Sequence, residues 1–135
     1  VSCAYGAKAV NENSLSDEMR GKLHQQGVTV VTAAHALSGA ERGISKAFGG
    51  VYPVEIMAAT LRMFGQGVKV CVEIALMAAD CGAIRAKQPV MVVGGTGGAD
   101  TACVITPSYT ASLLETKVNE ILCKPALLPQ EETAE

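Results

Sequence analysis

The chain has 135 residues, 49% hydrophobic and 18% charged, with a formal net charge of −2. That balance describes one core-forming domain and excludes a disordered chain. Lysine and arginine are scattered and aromatics make up only 4%, so the sequence carries neither the basic stripe nor the stacking platform of a nucleic-acid binder.

The first residues, VSCAYG, read as the tail of a strand, and they open on Val1 rather than methionine. The expectation is an N-terminally truncated domain whose first strands are missing. A helix is expected next, over SLSDEMRGKLHQQG. Ser14 or Ser16 can cap it, Asp17 and Glu18 suit its positive end, and Gly27 can stop it. Leu15, Met19 and Leu23 recur at i, i+4, i+8 and define a core-facing stripe. VTVVTAA, residues 28–34, is short and β-branched, the pattern of a buried parallel strand.

Ser38 followed by Glu41 has the spacing of a capping box, so a helix is expected from Gly39 to the glycines at 49 and 50. Pro53 fits the first position of another helix, with Val54, Met57, Leu61 and Phe64 on its apolar face. Gly65 and Gly67 are expected to break it around Gln66. A further helix then runs to Gly82 with a stripe of Val68, Val72, Ala75, Leu76 and Ala79. Lys69 and Glu73 form an i, i+4 pair on another face, and Glu73 and Asp80 are expected to be solvated. VMVVGG and TACVITP read as two more strands, 109–116 as a short helical piece and KVNEILCKP as an edge strand. The alternation predicts an α/β fold with a parallel sheet over residues 1–124, followed by an acidic, flexible tail over 125–135.

The most apolar long stretch, residues 68–84, carries Lys69, Glu73 and Asp80, so no membrane span and no membrane partner are expected. The five cysteines lack metal-ligand spacing and read as reduced, buried hydrophobes, which points to a cytoplasmic protein with no metal site.

Three stretches carry candidate chemistry. The loop GGTGGAD is followed by a β-branched strand and not by a helix. It therefore fails the context of a dinucleotide fingerprint, and it has no P-loop lysine. It reads as a turn between strands whose amides can still form an anion-binding nest, with Thr96, Asp100 and Thr101 adding side-chain bonds. HALSGAER follows a strand end, where open α/β sheets bind ligands. His35, Ser38, Gly39 and Arg42 are the candidates there, set against the plainer reading of a capped surface helix. GQGVK, with Gln66 and Lys69, is a second helix start that could hold an anion or be a simple corner.

HALSGAERGISKAFGGVYPVEIMAATLRMFGQGVKVCVEIALMAADCG and VGGTGGADTA together resemble stand-alone proteins similar to the pyruvate kinase C-terminal (α/β) domain, over residues 27–124. The resemblance implies a three-layer α/β/α fold, its sheet mostly parallel with an antiparallel edge strand. It also implies a cytoplasmic homo-oligomer and a phosphate-bearing ligand such as FMN, without kinase activity. In relatives the pattern begins upstream, with a strand and a Thr-Thr-Gly loop that this chain does not show. The pocket it implies is lined by His35, Ser38, Gly39 and Arg42, faced by Thr96, Gly97, Gly98, Asp100 and Thr101, with Gln66 and Lys69 as further members. Rival readings are a flavin-dependent oxidoreductase with His35 as its base, and a non-catalytic oligomerisation or regulatory module.

Overall fold

The computed structural model describes residues 1–126. Strand β1 (Ser2–Cys3) pairs in parallel with β2 (Thr32–Ala33), and helix α1 (Asp17–Gln25) connects them. Ser16 caps α1 by accepting a bond from the Met19 amide at 3.2 Å. Gly27, at φ +76°, ends it: the Gly27 amide donates to the His24 carbonyl and the Val28 amide to that of Leu23. That stop uses the Val28 amide, which is one reason the strand expected over 28–34 shortens to Thr32–Ala33. No residue of α1 is buried, and Met19 of the expected core stripe stays exposed.

Helices α2 (Gly39–Phe48), α3 (Pro53–Arg62) and α4 (Gln66–Asp80) follow. Helix α2 begins at Gly39 as expected, but the capping box does not form. Ser38 sits at φ −150°, ψ −35° and makes no side-chain cap. Glu41 instead reaches the next helix, accepting from the Val54 amide at 2.9 Å and the Glu55 amide at 3.3 Å. Its carboxylate thus serves the open N-terminus of α3, whose first position is Pro53. Phe64, expected on the apolar face of α3, lies beyond the helix end and is exposed.

Helix α4 is the centre of the molecule, with 11 of its 15 residues buried. The stripe read from the sequence is there, and Cys71, Ala78 and the charged pair Lys69 and Glu73 are buried as well. Glu73 is therefore not the solvated carboxylate expected; it is 2% exposed. Val68, Cys71, Val72, Ala75 and Leu76 pack with Leu37, Ala58, Val92, Cys103 and Ile105 as the main core.

The remaining strands are β3 (Val90–Gly94), β4 (Thr101–Thr106) and β5 (Lys117–Cys123), joined in the order β3-β4-β5. A 3-10 turn over Thr110–Glu115 precedes β5. Both pairings are antiparallel, with Gly94 opposite Thr101 and Ile105 opposite Val118. Val92, Cys103 and Ile105 face α4, while Met91 and Val93 face away and are exposed. The fold is mixed α/β, but among the described residues the parallel pairing is confined to β1 and β2. The sheet therefore differs from the single, mostly parallel one expected. The reason is connection length: residues 95–100 are enough for a hairpin, whereas a parallel neighbour needs a crossover of about a dozen residues or more.

Gly67 was expected to break a helix; it lies inside α4 and allows a close approach. A Cβ there would overlap Thr101 Oγ1 and Cβ and lie 2.9 Å from Asp100 Oδ1. Gly67→Ala is expected to destabilise the fold by roughly 1–3 kcal/mol in urea melts. Gly43→Ala, in α2 with open space around it, should instead stabilise by up to about 1 kcal/mol. Equal melts for the two variants would refute this packing.

Candidate functional site

A cavity of about 290 Å³ opens where β1, the segment after β2, one face of α4 and the β3–β4 turn meet. Its floor is apolar, made by Val70, Ile74 and Met77 of α4. Its polar lining comes from His35, Gln66 and Thr96, with Ser2 of β1 and the carboxylate-bearing Glu73 of α4. A second groove of similar volume lies between α3, α4 and β5, but its lining is aliphatic apart from the hydroxyls of Thr60 and Thr116. Of these two, only the first is lined by ionisable side chains.

The turn is held over α4 by small residues. A Cβ on Gly95 would overlap the Gly98 carbonyl, so this conformation requires glycine at 95. The Asp100 amide closes the turn on the Gly94 carbonyl at 3.0 Å. Asp100 Oδ1 accepts from Thr101 Oγ1 at 2.7 Å, and Thr101 is buried against Gly67. Asp100 and Thr101 thus brace the hairpin and do not line the cavity. Among the described residues nothing accepts from the amides of residues 95–98, which leaves them available to an anion.

Beneath His35 lies the buried carboxylate of Glu73. Its Oε1 accepts from the Leu37 amide at 3.0 Å, and its Oε2 accepts from Lys69 Nζ. His35 Nδ1 lies 3.4 Å from the same Oε2. Lys69 is itself 5% exposed, so the pair neutralises its own charge away from water. Glu73 ties α4 to the segment that follows β2 and so places His35 on the cavity wall.

Gln66 is oriented in a similar way. Arg62 Nε donates to Gln66 Oε1 at 2.9 Å, and arginine has only donors, so the carboxamide NH₂ is left to face outwards.

The sequence candidates divide accordingly. His35, Gln66 and Thr96 share the cavity, Lys69 joins through Glu73, and Gly97 and Gly98 lie exposed in the same turn. Ser38 and Arg42 point into a different hollow, of about 170 Å³, beside Glu55 and Arg62. Gly39 lines a third, which His35 also borders, with Asp80 and Thr110. Asp80 accepts there from the Thr110 amide at 2.9 Å. The start of α2 is therefore not the opposite wall of the cavity, because the chain between His35 and Arg42 passes around the core residue Leu37. Glu73 is the site residue that sequence reasoning missed. Its signal was present: a lysine and a glutamate spaced i, i+4 inside the otherwise apolar VKVCVEIALMAA.

The cysteines also depart from expectation. Cys71 and Cys103 are fully buried, Cys3 is half-buried, and Cys81 and Cys123 are exposed. Burial, and then the neighbouring Cys103, pushes the Cys71 thiol up to about 12, and burial also raises Cys103. Among the described residues no cluster of His, Cys, Asp and Glu is placed to hold a metal ion, and no helix is long and apolar enough to cross a membrane. No protein-family model matches the chain.

Two outcomes follow from these buried groups. Lys69→Met leaves an uncompensated carboxylate in the core and is expected to cost roughly 3–5 kcal/mol in denaturant melts. The double variant Lys69→Met/Glu73→Met should lose less; a double variant worse than the single would contradict a paired charge.

The thiols set an alkaline limit. Below the ordinary thiol value of 9.0 both folded and unfolded chains hold the Cys71 proton, and the stabilisation is complete. Between there and about 12 only the folded chain holds it, so stability falls by ~1.4 kcal/mol per pH unit for this group. Thiol titration with a disulfide reagent should label Cys81 and Cys123 rapidly, and Cys71 and Cys103 only on unfolding. Rapid labelling of Cys71 in the folded protein would contradict the assignment.

Proposed function

We propose that this chain binds a phosphate-bearing ligand such as FMN in the cavity bounded by His35, Gln66 and Thr96. The observation that carries the reading is the convergence of those side chains, from three stretches of sequence, beside amides 95–98 that have no partner among the described residues. In this reading the turn, with Thr96, Gly97 and Gly98, takes the phosphate, and the carboxamide of Gln66 adds a donor. Val70, Ile74 and Met77 offer the apolar surface a planar ring requires. At about 290 Å³ the cavity is at the small end for such sites, so the ring of FMN would be only partly enclosed. The same reading takes the domain as pyruvate kinase C-terminal-like, three-layered and cytoplasmic, and implies no kinase chemistry.

A second reading, self-association without catalysis, is favoured by β5, all seven residues of which, Leu122 among them, are exposed, together with the exposed Leu114. It predicts a homo-oligomer by light scattering.

The first reading is tested by a flavin absorption spectrum of the purified protein and by calorimetric titration with FMN. Thr96→Val and Gln66→Ala should each weaken binding by roughly tenfold, the worth of one hydrogen bond to a charged group. Absence of FMN binding, or unchanged affinity in both variants, rejects it.

A further inference from the structure

We infer that Glu73 is a positioning residue that fixes the tautomer of His35, so that the cavity recognises a hydrogen-bond donor at its His35 end and an anion only at its glycine turn. The inference rests on the proposed ligand site and assigns its polarity. With Lys69 donating to it, Glu73 is an ionised carboxylate and can only accept. His35 Nδ1 lies 3.4 Å from Oε2, an ion-pair distance without hydrogen-bond alignment; a lone pair on Nδ1 that close to the carboxylate is repelled and a proton there is attracted, so the neutral imidazole carries its proton on Nδ1. The carboxylate cannot turn away, because Leu37 N–H holds Oε1 and Lys69 holds Oε2. The imidazole then presents a bare Nε2, which has no protein partner among the described residues, on a side chain 46% exposed at the cavity wall. A bare Nε2 accepts. It suits an N–H or O–H group, such as a flavin imide or a sugar hydroxyl, and it repels the oxygens of a phosphate. The free amides of residues 95–98 and the hydroxyl of Thr96 have the opposite preference. A ligand with a donor-bearing ring at one end and a phosphate at the other satisfies both, and its direction in the cleft is set.

The experiment is long-range ¹H–¹⁵N correlation of the imidazoles in the full chain, at a pH high enough to keep them neutral. His35 is expected as the Nδ1–H tautomer, whereas His24, exposed on α1, should show the mixture typical of free imidazole. In Lys69→Met/Glu73→Met, which removes both charges together, His35 should revert to that mixture. If the double variant does not fold, the wild-type spectrum decides alone: an Nε2–H tautomer at His35 overturns the inference. Riboflavin, which lacks the phosphate, should then shift His35 Nε2, while inorganic phosphate should shift amides 95–98 and leave His35 unmoved. Phosphate that moves His35 Nε2 and not the turn overturns the assigned polarity. If none of FMN, riboflavin and phosphate binds while His35 is Nδ1-protonated, the proposed ligand is wrong and the role of Glu73 in orienting His35 stands.

Discussion

A buried carboxylate sets the terms for the rest of this structure. Glu73 sits in the middle of α4, the helix around which the core is built, and an ionised group there is tolerated only with its charge and its lone pairs satisfied. Lys69, one turn earlier on the same helix, supplies the charge. The Leu37 amide supplies a second donor from a different part of the chain. That bond satisfies the carboxylate and anchors the segment after β2, a stretch with little regular structure to hold it. The same anchoring brings His35 to the cavity. Stability and the shape of the candidate site therefore depend on one cluster.

The other side of the cavity is held by close packing instead of charge. Gly67 lets α4 approach Thr101, and Gly95 lets the turn fold back on Gly98. Thr101 and Asp100 are bound to each other, so the hairpin is braced from below while the amides at its tip stay free. In the proposed function these donors, already held in place, take the anion without being reorganised on binding.

Much of this was legible in the sequence, and the failures have identifiable causes. Ser16 and Gly27 acted locally, through bonds within a few residues, and so the limits of α1 could be read directly. Pro53 was legible for the same reason, and β5 from the alternation of its own apolar residues. Glu41 was not, because its partners, the amides of Val54 and Glu55, lie in another helix, and a local pattern cannot show a distant donor. Glu73 was assigned to solvent because periodicity treats every charge as surface; only its apolar neighbours on all sides of the helix argued otherwise. The direction of β3 relative to β4 could have been taken from the shortness of the glycine loop. His35, Gln66 and Thr96 were named from their own motifs, but that they share one cavity while Ser38 and Arg42 do not is a fact of tertiary packing.

The most direct test of Glu73 as the organising group is native-state hydrogen exchange at the amide of Leu37. This N–H is donated to Glu73 Oε1, belongs to no helix or strand ladder, and lies on a residue 1% exposed. The account predicts protection of the Leu37 amide close to that of the central amides of α4 and well above that of the Ala36 amide before it. Exchange as fast as that of the turn amides 95–98 would contradict it.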